Sequence, residues 1–443
     1  MQIRHLEPQA RFRTSFAPHP VSNRVSESKL LVFATCTYII AWYLQVGLRV
    51  PILGAIRFEF VLGSILSFCA IIKLIREPFS TPLAKPVMIF IFVLSFYTIF
   101  SYDRSQSWEI FIERVIKFSM LAAFLAAFVR TEWALKMVVG AFLLAMLKLG
   151  QEGFVGWYSG GMIWQNQGIP RLHGVTPLYR HPNSYSGMAV GCLPFIFYLF
   201  PIAKKWQKLL LILLFFFCAI IIIYTGSRTG YVATALLGLY FWREKLEQGK
   251  IKYVAVGVAI ILIIYILLPE AYIGRMISIF TMEEAEGSSS EARLQIIKDS
   301  FSVFVSHPWG IGVAAFPSVR MEMFNRFQDT HNLYLEILTN LSLPGLIAFF
   351  FLIYKIIKTN GNIIINTDNK FIKALSRAII AFIYARLFLG MFGMDTYEIY
   401  WWFAVGLTIA NFRVFQNSKN KRQYNKNHSI KEPLLRFGIG NNK

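Results

Sequence analysis

Charged side chains are scarce in this chain. Asp, Glu, Lys and Arg supply 16% of its 443 residues, against about a quarter in soluble domains. With 56% hydrophobic residues, and Phe 41 and Trp 10 among them, an ordinary soluble domain is excluded and a polytopic membrane protein is expected. Acidic residues are the scarcer sign, 24 against 45 basic, for a net charge of +21. In a soluble protein that excess would suggest nucleic acid. In a membrane protein, basic residues in cytoplasmic loops set the orientation, so no nucleic-acid partner is expected. The four cysteines, Cys36, Cys69, Cys192 and Cys218, lie in apolar runs without CxxC spacing. Neither a disulfide framework nor a zinc site is suggested. His307 and His331 have no carboxylate neighbours at ligand spacing, so no metal and no cofactor is expected. No internal repeat of fixed period is visible. Residues 1–29 are polar and basic and the first apolar run is already a full span, which argues against a cleavable signal peptide.

Long apolar runs are abundant. A span needs about 20 largely apolar residues, and twelve runs qualify: 30–48, 54–72, 86–101, 110–129, 133–150, 184–203, 208–224, 229–242, 252–269, 332–354, 375–391 and 397–414. The expected fold is an all-α, polytopic bundle of about twelve membrane helices. A cytoplasmic tail, 1–29, precedes helices one to nine in 30–269. A large outer loop fills 270–330, helices ten to twelve fill 331–414, and a basic, disordered cytoplasmic tail fills 415–443. With both termini in the cytoplasm, the inner loops and tails hold 30 of the 45 Lys and Arg residues, as the positive-inside rule requires.

Two outer loops are long, 151–183 and 269–330. In the second, Ser288 and Glu291 have capping-box spacing. Leu294, Ile297, Phe301, Phe304 and Val305 follow at helical intervals, predicting an amphipathic helix on the outer leaflet. His307-Pro308 and Gly310-Ile311-Gly312 end it.

Ionisable groups at the mouth of a span usually face protein or an aqueous cavity. Three polar clusters occupy such mouths: Arg180-His181-Pro182-Asn183, Thr225-Gly226-Ser227-Arg228 and Asp329-Thr330-His331-Asn332. His331 is either an interfacial cap or a general base, since imidazole accepts a proton near neutrality. Asp329 is placed to orient it. Arg228 either snorkels to headgroups or binds an anion at a turn whose glycines admit close approach. Arg180 adds positive charge where a helix dipole is already positive, a conflict that a bound anion resolves. Asn183 and Ser184 are N-cap candidates. Arg293 reads first as an interfacial helix residue. Glu113 and Lys117 have ion-pair spacing, and Arg386 is expected to pair with Glu398 or Asp395. Guanidinium groups gathered on one side suit phosphate.

Four pieces in order, 180–191, 225–230, Ser306-His307-Pro308-Trp309-Gly310-Ile311-Gly312 and 329–335, resemble the O-antigen ligase and polymerase superfamily of bacterial membrane glycosyltransferases. The ligase pattern runs His, Asn, nine residues, Gly, two residues, Gly. His331, Asn332 and Gly345 match it, and Ser342 stands in place of the first Gly.

The resemblance implies a GT-C-like, metal-independent enzyme of the bacterial inner membrane with a periplasmic site. It would move a glycan from undecaprenyl diphosphate to a lipid-anchored glycan acceptor: lipid A–core for a ligase, another lipid-linked unit for a polymerase. By the same resemblance His331 would be the base, with Arg228 and Arg293 on the diphosphate, and the dipole conflict at Arg180 makes it a further candidate there. Asn332, Asp329 and His181 would support them, and membrane lipids would surround the site. A transporter of lipid-linked sugars is the alternative from another class. Repeated halves with broken midplane helices would mark it, and none is visible.

Overall fold

The computed structural model describes residues 27–166, 168–247, 257, 269–281, 289–393 and 396–436. Nearly all of these residues are helical. Among the described residues, five helices are long and apolar enough to cross a membrane: Phe58–Arg76, Glu132–Tyr158, Pro182–Ile202, Lys205–Tyr224 and Leu333–Asn366. The chain is a multi-pass membrane protein. Two shorter apolar helices, Lys29–Leu44 and Ala84–Ile99, join them. The expected span 110–129 is divided by a π-helical turn, Phe111–Ile116, from Lys117–Phe128, and others are helical but carry more charge. Lys370–Gly390, for example, carries Lys370, Lys373, Arg377 and Arg386. The expected ninth span, 252–269, lies almost wholly outside the described residues, as do the N-terminal tail to residue 26, Ser288 of the expected capping box, and Asp395.

Burial separates peripheral from central helices. Only 11% of the apolar window in Phe58–Arg76 is buried, against 78% in Pro182–Ile202. Exposed Phe60, Phe68 and Ile75 therefore form a lipid-facing surface. The central helix packs on Lys370–Gly390 and Lys205–Tyr224.

Side-chain bonds tie the loops into two ends of the bundle. At one, Glu27 accepts from the Arg130 amide at 2.7 Å, and Arg130 pairs with Glu77. Asn369 donates to Glu132 at 2.6 Å and Asn417 to the Arg130 carbonyl at 3.1 Å. The other end holds Tyr102, whose N–H donates to Ile311 O at 2.8 Å, and Arg171, Asn183, Thr225, His331 and Met391, whose bonds are described below.

Three departures from the sequence expectation stand out. First, Ile163–Asn166 and Ile169–Leu172 form an antiparallel hairpin inside the first long loop, so the fold is not purely helical. Second, the last helix runs Ile399–Arg436 instead of giving way to a disordered tail near 414. Third, Glu398 pairs with Arg114 at 2.8 Å, while the Arg386 guanidinium lies 4.0 Å from the Tyr400 ring and 5.2 Å from that of Phe382. The rings offer that cation an alternative to a carboxylate. The Glu113–Lys117 ion pair forms as its spacing implies.

The amphipathic helix spans Ser289–Ser306. Leu294, Ile297, Phe301 and Val305 are exposed on it, while Ile296, Asp299, Ser300 and Val303 are buried on the opposite face. The exposed stripe has the chemistry of a face laid on lipid.

The helix Leu333–Asn366 is broken at Ser342, with φ 54° and ψ −161°. Pro344 follows and has no N–H, so the Asn340 carbonyl loses its intrahelical donor. The loop after Ser306 fills the gap: Ile311 N–H donates to Thr339 O at 3.1 Å and Gly312 N–H to Asn340 O at 2.9 Å. The buried carbonyls thus stay satisfied. Gly312 sits at φ +111°, where a Cβ would lie 2.0 Å from Ser101 Oγ. No other residue fits that seam.

Candidate functional site

The helix Lys205–Tyr224 stops before Thr225-Gly226-Ser227, and Arg228 opens the helix Arg228–Glu247. Ser227 Oγ caps that second helix by accepting from Gly230 N–H at 3.2 Å. Gly226 has φ +57°, and a Cβ on it would come 2.6 Å from Ile169 Cδ1. The hairpin therefore rests directly on the turn.

That hairpin delivers Arg171, which is 1% exposed. Its Nε donates to Thr225 O at 2.7 Å and its Nη2 to Asn183 Oδ1 at 2.7 Å. The helix Glu270–Thr281 brings buried Arg275, whose Nε approaches Gly226 O at 3.4 Å. Tyr272 locks this helix to the hairpin by donating to Pro170 O at 2.8 Å. Two guanidinium groups thus converge on the turn that carries Arg228.

The charges feel one another. Burial pulls the Arg171 guanidinium down to about 10, with Arg275 the next cause and Arg228 and Arg293 adding to it. His181 caps the helix Pro182–Leu199, its Nδ1 accepting from Asn183 N–H at 3.2 Å. Desolvation, then Arg171, His331 and Arg293, hold His181 below the ordinary imidazole range. Arg293 leans over the Phe392 ring at 5.9 Å.

His331 occupies a left-handed conformation, φ 48°, which is uncommon for a side chain with a Cβ. Both flanks hold it there. Asn332 caps the helix Leu333–Asn366, Oδ1 accepting from Tyr334 and Leu335 N–H at 2.9 and 3.0 Å, and its Nδ2 donates to Met391 O at 2.9 Å. The Asn332 amide is thus committed to holding the backbone. On the other flank, Gln328 Nε2 lies 3.1 Å from His331 Nε2, and Arg320 Nη1 approaches Gln328 Oε1 at 3.4 Å. Arg320 is itself buried in an ion pair with Asp299 at 2.8 Å. Desolvation lowers the His331 pKa; Asp329 opposes it, and Arg293 and Arg320 reinforce it. Asp329 is pushed up by burial.

The candidates from the sequence do not all meet. Arg228, Arg293, His181 and His331 share one field. Arg180 is exposed after the turn Pro177–Tyr179, with no ion pair or hydrogen bond to its guanidinium among the described residues. Arg171, Arg275, Arg320 and Gln328 were not foreseen. For Arg171 a signal existed: Gly168 between two short runs is a hairpin cue. Gln328 carries no comparable mark.

Residues 209–350 match the Wzy_C family model, described as O-Antigen ligase. The matched stretch contains Arg228, Arg275, Arg293, Gln328 and His331. No curated protein matches the chain.

Proposed function

Taking the O-antigen ligase domain at residues 209–350 as the premise, we propose that this membrane glycosyltransferase transfers a glycan from undecaprenyl diphosphate to lipid A–core. The observation that carries the reading is the convergence of Arg171, Arg228, Arg275 and Arg293 beside His331. Arg228 and Arg293 bind the donor diphosphate and stabilise the charge that develops as it leaves. Arg171 and Arg275 hold the turn under Arg228. His331 takes the proton from the acceptor hydroxyl as its oxygen attacks the anomeric carbon. The bond from that carbon to the diphosphate oxygen breaks, and undecaprenyl diphosphate departs with the electron pair. Attack opposite the leaving group inverts the anomeric centre.

The site faces the periplasm of the bacterial inner membrane, with both termini in the cytoplasm, by the distribution of Lys and Arg. A transporter would hold its polar groups near the midplane, whereas these gather at one end of the bundle. Proteoliposomes supplied with lipid-linked glycan and lipid A–core provide the test. Glycan should appear on lipid A–core with an equal amount of undecaprenyl diphosphate released. A longer glycan on the lipid carrier instead identifies a polymerase, and no new glycosidic bond overturns the reading.

A further inference from the structure

A cleft of about 400 Å³ opens on the other side of His331, walled by Glu291, Gln295, Arg320, Arg326, Phe327 and Gln328. Its position follows from the helix Ser289–Ser306. Successive residues turn about 100° around a helix. Arg293 and Gln295 therefore point about 200° apart. One faces the arginine cluster and the other the cleft. The exposed apolar stripe at Leu294, Ile297, Phe301 and Val305 takes a third direction. A single helix thus separates the arginine cluster from the cleft, and Gln328 on the cleft wall lies 3.1 Å from His331 Nε2.

On the cleft side Arg320 Nη2 bonds Asp299 at 2.8 Å, Arg326 approaches the same carboxylate at 3.3 Å, and Glu291 adds another negative charge. A wall with its charge internally matched suits neutral hydroxyls better than phosphate. Gln295 and Gln328 supply amide groups that both donate and accept. Phe327 is 73% exposed at the rim. The C–H face of a sugar ring fits against the negative face of such a ring.

We propose that this cleft is the acceptor-saccharide subsite. The inference rests on the reading that the arginine side takes the donor diphosphate. The acceptor sugar lies on Phe327 between Gln295 and Gln328. Its reactive hydroxyl displaces the Gln328 amide from His331 Nε2, so occupancy of the cleft aims the base at the correct oxygen.

The test is binding, measured by calorimetry on the full chain in detergent. The probes are undecaprenyl diphosphate, delipidated core oligosaccharide, and the free repeat-unit oligosaccharide of the host. Wild type should bind at least one oligosaccharide. The double variant Gln295→Ala, Phe327→Ala should weaken that oligosaccharide at least tenfold and leave undecaprenyl diphosphate unchanged. Arg228→Ala should do the reverse. The cleft assignment is overturned if wild type binds neither oligosaccharide, if the double variant binds as wild type does, or if it loses both ligands together. Undecaprenyl diphosphate binding unaltered by Arg228→Ala would instead remove the donor reading, and the oligosaccharide comparison would still stand.

Discussion

The Gln328 amide nitrogen lies 3.1 Å from Nε2 of His331, and the Gln328 carbonyl faces Arg320 at 3.4 Å. Arg320 can only donate, so the oxygen of Gln328 is turned to it and the NH2 to the imidazole. Neutral His331 then carries its proton on Nδ1 and offers its lone pair at Nε2. The helix Ser289–Ser306, whose apolar stripe suits lipid, therefore sets a tautomer through Asp299, Arg320 and Gln328.

A hydrogen bond donated to the neutral imidazole keeps its pKa down. Such a bond contributes about 0.5–1.5 kcal/mol, and about 1.4 kcal/mol corresponds to one pH unit. Gln328→Ala should accordingly move the acidic limb of the transfer rate upward by roughly half to one unit. The rate on the plateau should fall only a few-fold. A pH–rate profile checks this, and an unmoved limb with a lower plateau would mean that Gln328 only supports the loop.

Asp329 pulls the other way. Its charge raises the His331 pKa against desolvation and the two arginines. Transfer needs the neutral imidazole, so the rate is full above that pKa and is lost as pH falls through it. Asp329→Asn should shift the limb to lower pH, extending activity into acid. A shift to higher pH would contradict the electrostatic role.

Arg171→Lys keeps a charge but not the fork that spans Thr225 and Asn183. The variant should lose about 1–3 kcal/mol of stability. It should also raise KM for the lipid-linked donor about tenfold with a smaller effect on kcat, because the turn below Arg228 loosens. Denaturation in detergent and steady-state kinetics check the two halves. Lost stability with an unchanged donor KM would leave Arg171 purely structural.

Ser342 adopts φ 54°, ψ −161°, a region that glycine alone occupies freely and that costs other residues about 1–3 kcal/mol. Its hydroxyl recovers part of that by donating to Pro308 O, a bond contributing about 0.5–1.5 kcal/mol. Ser342→Gly should be more stable than Ser342→Ala by about 1 kcal/mol, since both lose the hydroxyl bond and only glycine relieves the strain, less the entropy of its freer unfolded chain. Thermal unfolding of both variants checks the pair. A glycine variant no more stable than the alanine variant would remove strain as the reason for that residue in the ligase pattern.

The apolar runs and the helix from 289 were legible because hydropathy and helical period are local properties. So was the loop that ends that helix at Pro308 and Gly310. The motif pieces contain Arg228 and His331, and the resemblance added Arg293. What escaped was long-range. Arg171 reaches Thr225 across 54 positions of sequence, and only the folded hairpin makes it a partner. Gln328 gains its role from Arg320, and Arg320 from Asp299. Arg386 invites a carboxylate by charge alone, but its guanidinium lies over the rings of Tyr400 and Phe382 and Glu398 pairs with Arg114, while Asp395 lies outside the described residues. Ser342 looked like a mismatch in a pattern. Its backbone angles show what the pattern demands there.

The most direct test of the central claim is single-turnover transfer by His331→Ala, with saturating lipid-linked donor and lipid A–core. A general base contributes about 10²–10⁴-fold, so the rate should drop by at least a hundredfold. Undecaprenyl diphosphate binding and thermal stability should stay close to wild type. Transfer at the wild-type rate in that variant would contradict His331 as the base.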